Sequence, residues 1–179
     1  MQQYAPAAWL LQPWFQPSTL KVVPASEWVL LAYRLPREPS TPRINVWRKL
    51  RRLGAMQVVG GLVVLPADPR TTEAFDWLAD EVADAGGEAW TWRATGSKQQ
   101  DRSLRQRLTD ATTDEYQQLV DKAGAAESHP QRRTLERLRR ELRSIEARDY
   151  FGAKARDRAR RAVDRLAATL DTAEKEAAR

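Results

Sequence analysis

From Trp28 onward, apolar positions fall into two periods, one of strands and one of helices. Trp28 to Leu35 is a continuous apolar run closed by Pro36, and it predicts a buried strand. Ser40 or Thr41 can cap the helix that follows, with Pro42 in its first turn. Ile44, Trp47, Leu50 and Leu53 recur at spacing three and, with Val46, are expected to form its buried stripe. Asn45, Arg48, Lys49, Arg51 and Arg52 then face outward, and Gly54 sits where a left-handed C-terminal cap belongs. Met56–Val59 and Leu62–Leu65 read as two short strands joined by Gly60-Gly61, a pair suited to the positive φ of a tight hairpin. Pro66 ends the pair. Thr71 or Thr72 can cap a second helix, with Phe75, Leu78 and Val82 inward and Glu73, Asp76, Asp80 and Asp84 on its far side. Gly86-Gly87 stops it. In the strand Glu88–Ala94, Trp90 and Trp92 share one face and Thr91 and Arg93 the other.

The order βαββαβ predicts a ferredoxin-like half, a small sheet with two helices on one face. After Thr95-Gly96 the pattern is helical. Residues 98–109 and 113–125 read as two short amphipathic helices. Ser128-His129-Pro130 starts a longer one, with Leu135, Leu138, Leu142 and Ile145 at coiled-coil-like steps. Asp149-Tyr150-Phe151-Gly152 breaks the run, and a last helix from about Lys154 carries Ala155, Ala159, Val163, Leu166 and Leu170. The two long helices are expected to pair as an antiparallel hairpin, and residues 172–179 to fray. The fold class expected is α+β. It divides into an irregular Pro-rich N-terminal arm over 1–27, a ferredoxin-like domain over 28–95, and a helical domain over 96–179 packed on it. In the arm, Trp9, Trp14 and Phe15 belong either to a disordered extension or to a segment that docks. Lacking a basic start and broken by Pro6, Pro13 and Pro17, it does not read as a signal peptide.

Two structural expectations follow. Trp77 lies off the core stripe of its helix, so the C-terminal helices or the arm should bury it. Asp149, Tyr150 and Phe151 should close the helical half: Gly152 lets the chain turn, a ring plugs the gap, and Asp149 caps or pairs with an arginine.

Charge sharpens the picture. The chain has 179 residues, a formal net charge of +6 and a pI near 10.0, which suits a polyanionic partner. Residues 28–96 carry nine basic and eight acidic side chains, and residues 97–179 twenty and fifteen, so most of the excess is C-terminal. There is no cysteine, which excludes disulfides and thiolate metal sites and is compatible with a reducing cytoplasm. No run is long and apolar enough to span a bilayer, and no membrane partner is expected.

The candidate chemistry is binding rather than catalysis. The basic helix face can hold phosphates, or can pair with the acidic second helix. The C-terminal arginines are interleaved with Glu136, Glu141, Glu146, Asp157 and Asp164 at helix-pairing spacings; they read as a solvated face, with DNA-backbone contact as the alternative. The nucleic-acid-binding set is Arg43, Arg48, Lys49, Arg51, Arg52, Arg140 and Arg143. Trp90 and Trp92 are expected to pack under the helices, a base-stacking platform being the other reading. His129 is a lone surface or cap residue. No Ser-His-Asp set, close carboxylate pair or phosphate-cradling glycine loop appears, so neither an enzyme nor a cofactor is expected.

The segment WVLLAYRLPREPSTPRINVWRKLRRLGAMQVVGGLVVLP, with GGEA at Gly86–Ala89 and RLRRELRSIEARDYFGA in the helical part, resembles the chromate-resistance protein ChrB family. The carrying features are the strand ending in LP, Arg43, VWRKLRRLGA, the hairpin closing on LP, and the double glycine. The resemblance implies a bacterial cytoplasmic regulator that binds double-stranded promoter DNA and releases it when the chromate oxyanion is present. A homodimer is expected. Longer members carry a further C-terminal domain, so sensing that depends on it is not implied for these residues. The alternative is an interaction or dimerisation module without direct DNA binding. At fold level the βαββαβ half is also similar to a small CRISPR adaptation nuclease-like protein. That group has an aspartate near the end of strand one, where this chain reads Tyr33-Arg34.

Overall fold

A computed structural model describes residues 27–177. The readings of the N-terminal arm lie outside the described residues. The elements run β1 (Trp28–Arg34), α1 (Ser40–Leu53), β2 (Met56–Val59), β3 (Leu62–Pro66), α2 (Pro69–Asp84), β4 (Glu88–Ala94), α3 (Lys98–Ala126), α4 (Arg132–Glu146) and α5 (Arg156–Ala177). The protein is α+β, a four-stranded sheet followed by helices, as expected.

The sheet order is β2-β3-β1-β4 with every pair antiparallel. Each βαβ unit is therefore split by a strand of the other. The continuous apolar run of β1 follows from its place between β3 and β4. Val29 and Leu31 face α1 and α2, packing with Val46, Leu50, Phe75, Leu78 and Val82. Trp28 and Leu30 face the other way, into a cluster with Val64, Met56, Leu104 and Leu108. A strand covered on both faces needs apolar residues at successive positions.

Helix ends depart from the expected caps. Pro39, with no side-chain bond, precedes α1. Asp68 caps α2, accepting from the Thr71 N–H at 2.7 Å, while Thr71 accepts from the Asp68 N–H. Thr71 thus stands at the third helical position of a capping box rather than at the cap. In the hairpin only Gly61 takes a positive φ, 74°, and the ladder is irregular between Gln57 and Val59.

The two short helices expected over 98–125 are one helix of 29 residues, α3. Ser97 caps it in a box with Gln100. Its apolar stripe drifts because it serves two cores. Leu104 and Leu108 pack on the sheet; Tyr116, Leu119 and Ala123 pack with Leu138, Ile145, Val163 and Leu166 of α4 and α5. The polar run Asp110-Ala111-Thr112-Thr113-Asp114 reads as a break, yet Thr112 simply returns its hydroxyl to Leu108 O at 2.8 Å. The helical half is accordingly three helices and not a hairpin alone. α4 and α5 do run antiparallel: Arg132 pairs with Glu174 at 2.8 Å and Arg160 with Glu146 at 2.6 Å, start against end.

The loop after α4 joins the halves. Asp149 is buried and accepts from the Ala153 N–H at 2.9 Å and from the Tyr116 hydroxyl at 3.2 Å. Gly152 turns the chain with φ 71°. Phe151 lies against Trp28, ring centroids 6.1 Å apart, under the Arg105 guanidinium. Tyr150 enters the sheet core, and its hydroxyl donates to Leu53 O at 2.7 Å. Burial pushes that phenol up to about 12.

Candidate nucleic-acid interface

α1 does not bury the stripe expected of it. Val46 and Leu50 are buried and Leu53 half-buried, whereas Ile44 and Trp47 are 43% and 53% exposed. Steps of three rotate a helix by about −60° each, so 44, 47, 50 and 53 sweep half a turn of the circumference and cannot share one narrow face. The outward face is therefore mixed. Ile44, Trp47, Arg48, Arg51 and Arg52 are all exposed there, and the Arg51 guanidinium lies 5.1 Å from the Trp47 ring centroid. Lys49 is the exception among the basic residues: it turns to α2 and pairs with Glu81 at 2.5 Å. Arg43, Arg48 and Arg52 form no ion pair with any described residue. The pairing of this basic face with the acidic helix thus reduces to the Lys49–Glu81 bridge.

Trp77 is 62% exposed, which corrects the expectation that it is buried. The helical half covers the opposite face of the sheet through Leu104 and Leu108, and meets the helix layer through Tyr150. Neither reaches the outer side of α2. The union of the halves rests instead on Tyr150, on the 3.1 Å bond from Trp28 Nε1 to Asp101, and on Arg70 donating to Ala147 O at 3.1 Å.

On α4, Leu135, Leu138 and Ile145 point into the helical core. Ion pairs mark its flanks: Glu141 with Lys122 of α3 on one side, Arg132 with Glu174 and Glu146 with Arg160 of α5 on the other. Between these flanks, by the helical period, Arg133, Arg137 and Arg140 fall in one outward stripe with Arg143 beside them. All four are exposed and without an ion pair among the described residues. Arg133 and Arg137 join the expected Arg140 and Arg143; Glu141 and Glu146 turn to neighbouring helices, which only the assembled helices reveal, while exposed Glu136 shares the outward side. The basic helices meet at their C-terminal ends. Arg148, just past α4, packs its side chain on Gly54, the cap of α1, and pairs with Glu115 at 2.8 Å.

Trp90 and Trp92 also depart from expectation. They lie on the sheet face opposite α1 and α2 and are 64% and 51% exposed. Their register partners on β1 are Ala32 and Leu30. α3 shields the other end of that face, and β4 is an edge strand that it leaves open.

Residues 43–129 match the sequence model of a family described as Protein ChrB, N-terminal. The chain is 28% identical over 142 residues to Protein ChrB from Cupriavidus metallidurans, an alignment covering 76% of this chain and 44% of that protein. Over this region the chain is similar to the ChrB family. It spans less than half the length of that relative. No solved structure matches the chain. The ChrB N-terminal match takes in the basic face of α1 from Arg43 and all of α3, and ends before α4. Arg140 and Arg143 lie outside it. Among the described residues no helix is long and apolar enough to cross a membrane.

Proposed function

We propose that this chain is the DNA-contacting part of a chromate-responsive transcriptional regulator of the ChrB type. The observation that carries the reading is the set of unpaired arginines on the outward faces of α1 and α4. Where elements face one another their charges are matched: Lys49 with Glu81, Lys122 with Glu141, Arg132 with Glu174, Arg148 with Glu115 and Arg160 with Glu146. Charges left unmatched on a folded surface repel one another, and a polyphosphate backbone relieves that repulsion while releasing counterions. Arg43, Arg48, Arg51 and Arg52 contact duplex phosphates from one side of the α1–α4 junction, and Arg133, Arg137, Arg140 and Arg143 from the other. Phosphate contacts position a protein on DNA; bases are read elsewhere. The protein works in the bacterial cytoplasm, as a homodimer, without catalysis.

A gel shift on the DNA upstream of its own gene, across salt concentrations and with chromate added, tests this. Expected are a shift that weakens steeply with salt and is relieved by chromate. No shift at low salt would leave the dimerisation module without DNA contact as the better reading.

A further inference from the structure

We infer that the open face of the sheet is a second nucleic-acid site, in which Trp90 and Trp92 stack the bases of a single strand. This site is separate from the basic faces of α1 and α4, on the other side of the sheet. Residues two apart on a strand point the same way and sit about 6.6–6.8 Å apart. The two indole rings keep that spacing, with centroids 6.5 Å apart and planes 17° from parallel. They therefore stand side by side like plates instead of collapsing onto the sheet. A planar base can lie on the outer face of either ring.

The neighbourhood favours a nucleic acid over an uncharged partner. α3 covers the Trp28 and Val64 end of this face and leaves the β4 edge open. Arg34 reaches the open part from β1, tied only to exposed Glu88 at 3.1 Å. Such an exposed pair adds little and yields readily to a phosphate. Lys98 and Arg102, in the first turns of α3 directly after β4, are exposed and have no ion pair among the described residues. Bare indoles on the sheet, with unpaired cations at the start of the helix that follows, are the two elements that single-strand binders combine: aromatic faces for bases and positive charge for the backbone. Sheets with both helices on one face offer the other for this purpose. Paired bases already stack on one another and present no face, so the site selects single strands.

The test uses the full chain and a labelled 15-nucleotide oligo-dT, with a duplex of equal length as control. Expected is salt-sensitive binding of the oligonucleotide, quenching of tryptophan fluorescence, and about tenfold or greater loss of affinity in Trp90→Ala and in Trp92→Ala. Trp90→Phe and Trp92→Phe should retain most of it, and duplex binding should not change. Both rings are exposed, so the variants should keep the wild-type thermal melt. Failure of the wild type to bind oligo-dT, or equal binding by the alanine variants, overturns the proposal. So does a wild-type dimer that the double alanine variant converts to a monomer without any oligonucleotide binding, which would assign the face to a second copy. Loss of duplex binding in Arg48→Ala and Arg51→Ala bears only on the helix faces, so the two readings fail separately.

Discussion

The hydroxyl of Tyr150, in the loop after α4, donates to the carbonyl of Leu53, the last residue of α1, across 2.7 Å. One side chain thus plugs the sheet core and satisfies a helix-end acceptor of the other half. Tyr150→Phe keeps the ring and leaves that carbonyl without its donor, at a cost of about 1–3 kcal/mol. The pH dependence has a definite sign. Burial, the largest cause, raises the Tyr150 phenol to about 12 from the ordinary 10.0, so the folded state favours the neutral form. That contribution is complete below pH 10 and is lost as pH rises through about 12. Tyr116 shifts in the same direction, by burial and then by the Asp149 carboxylate. Denaturant melts between pH 9 and 12 should show wild-type stability falling more steeply than that of Tyr150→Phe. Equal slopes would mean that Tyr150 ionises as freely folded as unfolded.

Gly54 is required twice. Its φ is 71°, and a Cβ built there would lie 2.9 Å from the Cβ of Arg148. Gly54→Ala combines left-handed strain of about 1–2 kcal/mol with displacement of a side chain whose guanidinium holds Glu115 and Ser144. A Cβ is not the flexible end of an arginine, so the backbone of the joint has to move. Thermal unfolding should show a loss of about 2–3 kcal/mol. Gly152→Ala has the same positive φ with open space around it, and should cost only the strain. Equal losses would show that Arg148 gives way freely.

Asp149→Ala removes the acceptor of two buried donors, the Ala153 N–H and the Tyr116 hydroxyl. Each unsatisfied donor costs about 1–3 kcal/mol, so a total of about 2–6 kcal/mol is expected from chemical denaturation. Asp149→Asn keeps one acceptor oxygen and should recover part of it. A loss under about 1 kcal/mol would show that water replaces the carboxylate.

Strand and helix order is readable because short apolar runs and period-3.6 stripes alternate between Trp28 and Ala94, with Gly54, Gly86 and Pro66 as punctuation. Three features are not. Counting every third residue placed Ile44 and Trp47 with Leu50, although only positions three and four apart in alternation keep to one face. The 29 residues of α3 looked like two helices because their stripe turns from the sheet core at Leu108 to the helical core at Tyr116. A two-helix cover needing bulky partners points Trp90 and Trp92 under the helices, and the rarity of a lone exposed Trp points to a cover over Trp77; neither argument says which faces a fold leaves open. The candidate site was half readable. Basic positions were evident, but which of them are neutralised depends on helix adjacency: Lys49 turns out to be held by Glu81, while Arg48 and Arg52 are free of ion pairs with described residues.

The duplex-binding face can be tested without disturbing the fold. Arg48 and Arg51 lie on the outer side of α1, while Val46 and Leu50 hold it to the sheet. Replacing both arginines with alanine removes no buried group, and their only ring or ion-pair interaction with described residues is Arg51 over Trp47, an exposed cation–π pair worth about 0.5–1 kcal/mol. Stability should therefore change by about 1 kcal/mol or less. If both bind phosphates, duplex affinity should fall for every sequence alike, and the slope of log affinity against log salt should flatten by roughly 0.9 for each phosphate no longer neutralised. Lys49→Ala serves as the internal contrast, because its ammonium is committed to Glu81; it should flatten the slope less than either arginine. The same double change on α4, Arg137→Ala with Arg140→Ala, separates the two faces. Flattening by both pairs puts the α1–α4 junction on the DNA. An unchanged slope for the α1 pair with a flattened one for the α4 pair removes α1 from the interface and leaves the outward stripe of α4 to carry it.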